Sequence, residues 1–253
     1  MAENPVVTSV KKINTCINMN LNNNNINLQE LINGNIEELS DGALTNINSY
    51  AFRYCTSLTS IDLPVCTSIG SSAFNSCTKL TSINVPACTN INSLAFYRCT
   101  ALNSINLPAC TRIDYSAFDS CTKLKSINVP VCTIIANVAF DSCESLTSID
   151  LPACTSIYHG AFMNCTKLTS INLPVCTSIS SSVFNSCTKL TSIKLANASK
   201  ICTLSNSDAF KNTPIANKAG YIYVPDELVE QYKKATNWSV YANQIKPLSE
   251  YTE

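Results

Sequence analysis

From Leu58 to Lys189 the chain repeats itself every 22 residues, six times in succession and without an insertion. The first of these units reads LTSIDLPVCTSIGSSAFNSCTK and the last LTSINLPVCTSISSSVFNSCTK, and those between keep the same skeleton. A fixed period of about 20–50 residues is the mark of a stacked array, in which each coil touches only its neighbours. One elongated body is therefore expected for most of the 253 residues.

Counting each unit from its leading Leu as position 1, positions 4 and 6 are Ile and Leu or Val, 9 and 20 are Cys, 12 is Ile and 17 is Phe. The stretch Ser60-Ile61-Asp62-Leu63 alternates polar and apolar, the period-2 sign of a half-buried strand. Pro at position 7 ends it, because proline brings no N–H to a ladder. Stacking would set these strands side by side at about 4.7–4.9 Å per coil. One parallel sheet of about eight or nine strands follows, with Ile61, Ile83, Ile105, Ile127, Ile149, Ile171 and Ile193 pointing inward.

The run L-x-x-I-x-L-x-x-C-x-I, in the first unit Leu58, Ile61, Leu63, Cys66 and Ile69, matches the leucine-rich-repeat template. With its A-F-x-x-C remainder the chain resembles the BspA-like leucine-rich-repeat family of bacterial surface and secreted proteins, over about residues 36–213. The resemblance implies an α/β solenoid: a right-handed arc, one parallel sheet on its concave face, short turns or 3₁₀ pieces opposite. It also implies adhesion or protein binding, at a cell surface or after secretion.

The repeat frays at both ends. One period upstream Ile36, Leu39, Ile47, Ala51, Phe52 and Cys55 stay in phase, but Asp41 stands at position 6 and Leu44 at position 9. Before that, Ile26 to Ile32 reads as a short amphipathic helix stopped by Gly34. Downstream, Tyr221–Val224 reads as one more strand, and Asp226 as the cap of a helix carrying Leu228, Val229, Tyr232 and Ala235. Trp238, Tyr241 and Ile245 follow at helical spacing. The expected organisation is an N-terminal cap over 1–35, the solenoid over 36–213, and a strand with a helical cap over 214–253. Caps are needed because an open end would expose the core. The tail is also similar to C-terminal segments of repeat proteins from anaerobic bacteria, some of them prophage-borne.

Seventeen basic and seventeen acidic residues cancel, and no basic run exceeds a pair. A phosphate-backbone or anionic-lipid binder needs a basic patch, so neither partner is expected. No stretch reaches the roughly 18–20 apolar residues that cross a bilayer. The N-terminal MAENPVVTSVKKINTCINMN lacks the apolar core of a signal peptide. A monomer is expected.

Thirteen of the 15 cysteines fall every 11 residues from Cys55 to Cys187, the half-period of the coil. That is the spacing of two inward positions rather than of a disulfide scaffold or a C-x₂₋₄-C zinc site. Stacked equivalents would hold their Cβ atoms about 4.8 Å apart, beyond the usual 3.5–4.5 Å of a disulfide. Buried free thiols are expected, with no metal and no cofactor. His159 is the sole histidine and has no in-phase nucleophile or carboxylate beside it, so catalysis is not expected.

Two surfaces are candidates for binding. On the sheet face, position 3 is Ser and position 5 is Asn or Asp, giving Ser82, Asn84, Ser104, Asn106, Ser126, Asn128, Ser148 and Asp150 at its centre. Solenoids of this kind often bind there, although over these units the columns hold no aromatic residue. The second surface is the set of variable turn positions, bearing Tyr97, Arg98, Tyr115, Tyr158 and His159. Tyr and Arg are enriched at interfaces. The functional reading is a non-enzymatic module that recognises a protein or glycan. Its alternative is a structural spacer in a cell-surface or phage-associated assembly.

Overall fold

The computed structural model describes residues 38–252, so the N-terminal helix read at 26–32 lies outside the described residues. Each 22-residue coil carries three backbone segments that bond to the coils on either side, and these make three ladders down the array.

The first ladder is a ten-stranded parallel sheet, from Glu38–Ser40 through Ser60–Asp62 and its equivalents to Ser192–Lys194, then Tyr221–Val224 and Ile245–Pro247. Register advances by one repeat per strand: Ile61 pairs with Ile83, Ile105 with Ile127, Ile149 with Ile171 and Ile193 with Ile222. Those isoleucines are buried as the alternation predicts, while Ser and Asn on either side face out. The tenth strand corrects the helical reading of its region. Trp238 and Tyr241 are buried at the start of and within a 3₁₀ turn, Ser239–Gln244, but Ile245 opens a strand beside Tyr221–Val224.

A second sheet was not legible in the sequence. Eight two-residue strands, among them Ser68–Ile69, Arg112–Ile113 and Ser156–Ile157, stack in parallel at positions 11 and 12. Threonine at position 10 reinforces them. Each donates its N–H and its hydroxyl to the Thr carbonyl of the coil before, as Thr133 does to Thr111 at 2.9 and 3.2 Å.

The third ladder runs through the turns. The N–H groups at positions 15, 17 and 19 donate to the next coil's carbonyls at 14, 16 and 18, as in Ser116 to Asn137, Phe118 to Ala139 and Ser120 to Asp141. Those at 16, 18 and 20 close three-residue turns within the coil: Ala117 to Asp114, Asp119 to Ser116, Cys121 to Phe118. Alternating the donors this way requires left-handed backbone at positions 15 and 19, and φ there is +49° to +65° from Tyr50 to Ser186. In the coil of Tyr115 every N–H from Ser116 to Cys121 is satisfied in this way without a helix.

Between the ladders lies one continuous core. Phe52, Phe74, Phe96, Phe118, Phe140, Phe162, Phe184 and Phe210 form a single column of nearly parallel rings, their centroids 5.3–5.9 Å apart. That is the offset-stacked range favoured by the ring quadrupole. The fourteen described cysteines are all buried and free. Those at position 20 donate S–H to the previous coil's Phe carbonyl, as Cys121 does to Phe96 at 3.1 Å. Those at position 9 donate within their own coil, as Cys110 does to the Arg112 carbonyl at 3.2 Å.

The ends depart from the pattern. Asp41 is buried where other coils have Leu or Val, and its Oδ1 accepts from the Ala43 and Leu44 N–H groups at 2.7 and 3.1 Å. At the C-terminal end a 3₁₀ turn, Asp226–Leu228, leads into a short helix α1 (Val229–Lys234). Asp226 does not cap it: the preceding residue is Pro225, and the carboxylate accepts instead from the Ser249 N–H at 3.1 Å.

Candidate functional site

Every sheet-face residue singled out from the sequence is exposed: Ser82, Asn84, Ser104, Asn106, Ser126, Asn128, Ser148 and Asp150. Because equivalent side chains sit one strand apart, neighbours in a column can bond to each other. Asn84 Nδ2 donates to Asp62 Oδ1 and Asn128 Nδ2 to Asn106 Oδ1, both at 2.7 Å. These two bonds tie Asn84 to Asp62 and Asn128 to Asn106 across adjacent strands of a polar face.

The columns do not stay free of aromatics. Tyr221 pairs with Ser192 and Tyr223 with Lys194, so the serine column ends in tyrosine and the asparagine column runs on through Lys194 and Tyr223 to Lys246. Tyr251 packs edge-on against Tyr223, ring centroids 4.9 Å apart, and the Lys194 ammonium lies 4.4 Å from the Tyr251 ring. Lys246 lies 5.9 Å from the Tyr221 ring and pairs with Glu250 at 3.0 Å, which pushes its pKa up. The signal was present in Tyr221-Ile222-Tyr223, whose alternation continues that of Ser192-Ile193-Lys194.

The variable turn residues separate into two places. Tyr115 and Tyr158, both about half exposed, line one groove of about 360 Å³ with Ser93, Arg112, Asp114, Ala136 and Asn137. Arg112 Nε pairs with Asp114 Oδ1 at 2.6 Å on its wall. Tyr97 and Arg98 are not part of that lining; the Arg98 guanidinium lies 5.1 Å from the Tyr97 ring. His159 is exposed, and its Nδ1 is 2.8 Å from Ser181 Oγ at the same position of the next coil, so an in-phase hydroxyl does stand beside it, contrary to the expectation from the sequence.

Among the described residues no three His, Cys, Asp or Glu side chains converge as metal ligands. The nearest approach to an acid pair is Asp119 and Asp141, at the same position of adjacent coils. Burial first, and then Asp141, raise the Asp119 pKa. Both carboxylates are occupied: Ser116 and Ser120 donate to Asp119, Ser142 and Asn164 to Asp141. Among the described residues no helix is long and apolar enough to cross a membrane.

Two solved structures illustrate the likeness to known proteins. A leucine-rich-repeat protein of T. pallidum shares 26% identity, covering 75% of this chain and 76% of its own, at a TM-score of 0.48. A leucine-rich cell surface protein of Faecalibacterium prausnitzii shares 23%, covering 76% of this chain and 68% of its own, at a TM-score of 0.44. At these scores the likeness carries no functional argument. No curated protein matches the chain. The family model for the BspA type leucine rich repeat region matches in six copies, over residues 26–131 and 111–232. With most of its length matched, and with a parallel solenoid built on the same period, the chain belongs to the BspA-type leucine-rich-repeat family.

Proposed function

We propose that this chain is a non-enzymatic binding module that holds a protein or glycan partner against the polar face of its long sheet, at a cell surface or in a secreted setting as the family resemblance suggests. The observation that carries the reading is the end of that face. There Tyr221, Tyr223 and Tyr251 stand with Lys194 and Lys246 beside a lattice of serine and asparagine. Tyrosine gives much contact area for little lost side-chain freedom, and amides already tied to a neighbouring strand, as Asn84 and Asn128 are, lower the entropy cost of association.

The test is capture by the immobilised chain from arrays of extracellular proteins and glycans. At least one partner is expected. Binding should weaken at least tenfold when Tyr221→Ser is combined with Lys194→Asn, substitutions that give each column the residue it carries elsewhere. Asn106→Lys, Asn128→Lys and Asp150→Lys together should do the same by charging the centre of the face. These sites are exposed or at the surface, where substitutions usually change stability by less than about 0.5 kcal/mol, so melting should stay nearly constant. If every captured partner survives both variants, the contact lies off the sheet and the reading is overturned.

A further inference from the structure

We infer that the groove between Tyr115 and Tyr158 is a separate saccharide site that takes one or two sugar units of a neutral glycan. The inference rests on the reading of the chain as a binding module but not on the sheet face. Tyr115 stands at position 14 of its coil and Tyr158 at position 13 of the coil two further on. Coils stack at about 4.7–4.9 Å, so the two tyrosine-bearing coils are about 9–10 Å apart. The coil between them offers only the methyl group of Ala136 at position 13, in a column that holds Asp114 and Tyr158 on either side.

The two tyrosines stand in adjacent columns, so the open space over Ala136 lies between Tyr158 and the Asp114–Tyr115 pair, and two coil steps admit one chair-form ring there with contacts of about 3.5–4.0 Å. A volume of about 360 Å³ lies at the small end of the range for ligand pockets, about 300–1,000 Å³.

The remaining lining defines the chemistry. Asn137 offers an amide donor and acceptor, Ser93 a hydroxyl, Asp114 acceptors and Arg112 donors, which together match adjacent sugar hydroxyls. Tyrosine faces suit the apolar C–H side of a pyranose and the phenol its polar rim. Apart from Ala136 and the two tyrosine rings the lining is polar, so the groove offers no aliphatic pocket to anchor a peptide side chain. Neutrality follows from the Arg112–Asp114 pair: at 2.6 Å each charge already has its partner, leaving no net charge for a sialic acid or sulfate.

The full chain is tested on a printed array of neutral, sialylated and sulfated glycans, and then by saturation-transfer NMR and calorimetry with N-acetyllactosamine, chitotriose, maltotriose and 3′-sialyllactose. Binding of at least one neutral glycan is expected. Tyr115→Ser or Tyr158→Ser should weaken it at least tenfold, and Ala136→Tyr should abolish it by filling the gap. Each substitution installs a residue that the same column already carries at Ser93, Ser180 or Tyr158, so the coil is built to accept it. The sheet variant Asn106→Lys, Asn128→Lys, Asp150→Lys should leave saccharide binding unchanged, which separates this site from the face proposed above. No neutral glycan bound, a preference for sialylated or sulfated glycans, or undiminished binding by Ala136→Tyr would overturn the inference.

Discussion

Cysteine suits positions 9 and 20 because the site needs a small apolar side chain that can still give a weak hydrogen bond to a carbonyl. Its cost appears in alkali. Burial pushes the Cys110 thiol up to about 11 and those of Cys88 and Cys132 to about 12, against an ordinary value of 9.0. The unfolded chain releases these protons near 9 and the folded chain keeps them, so between the two values the unfolded state binds fewer protons. Each such thiol then withdraws about 1.4 kcal/mol of stability per pH unit. The contribution is complete below about pH 8.5 and is lost as the pH rises through the folded value. Urea midpoints measured from pH 7 to 10.5 should stay level and then fall steeply above about 9. The fall should be shallower in Cys88→Ala, Cys110→Ala and Cys132→Ala combined. Midpoints that hold level to pH 10.5 would show that the ladder does not stay protonated as its burial requires.

The turn segment is the element that departs furthest from ordinary rules. Left-handed backbone costs a non-glycine residue about 1–2 kcal/mol, and most for β-branched side chains, yet Leu94 sits at φ +60° and Val138 at +49°. Only the inter-coil ladder holds them there. Val138→Asn should therefore raise the denaturation midpoint by an amount equivalent to about 1 kcal/mol, since asparagine tolerates this region. Gly160→Ala should lower it by at least as much. Its backbone is at φ +62°, and an added Cβ would lie 3.0 Å from Val138 Cγ1. Equal midpoints for both variants would mean that the column relaxes freely. These positions also mark the limit of what the sequence discloses. The inward Ile, Phe and Cys columns were legible because apolar residues recur without exception. The left-handed positions were not, because from Tyr50 to Ser186, in every coil but that of Gly160 and Asn164, they carry Ser, Tyr, Arg, Leu or Val, where Gly or Asn would have signalled the turn. Two-residue strands such as Ser68–Ile69 are too short to show an alternation, and only stacking makes them strands. Tyr115 and Tyr158 could be singled out by type, but that they share a groove depended on knowing that Ala136 lies between them. Tyr221–Val224 was legible as a strand, but that Tyr221 and Tyr223 join the two face columns was obscured by the irregular stretch 196–220, which breaks the 22-residue count before the face resumes.

At the scale of the molecule, a stack of coils must stop without leaving a sheet edge or a core face exposed. The C-terminal segment does this by imitating one more coil with side chains. Tyr232 Oη accepts from the Cys202 N–H and Trp238 Nε1 donates to the Cys202 carbonyl, both at 2.7 Å, while Asn237 Nδ2 donates to the Leu204 carbonyl at 2.8 Å. The last short strand, Thr203–Leu204, thus finds its partners without a following strand. On the long sheet the edge is Ile245–Pro247, where proline removes a donor that a further chain could use. The phenylalanine column closes on Trp238, 6.0 Å from Phe210, and on Tyr241, edge-on at 5.3 Å. Trp238→Ala removes the end of the column and a buried donor together, at a cost of about 3–5 kcal/mol. In an array whose coils touch only their neighbours, the damage should stay local. Hydrogen exchange should show protection lost at Thr203–Leu204 and weakened at Ser192–Lys194, while Ser82–Asn84 to Ser148–Asp150 keep theirs. Protection falling equally in all coils would mean that the solenoid melts as one unit and that the cap holds the whole array rather than its last coils.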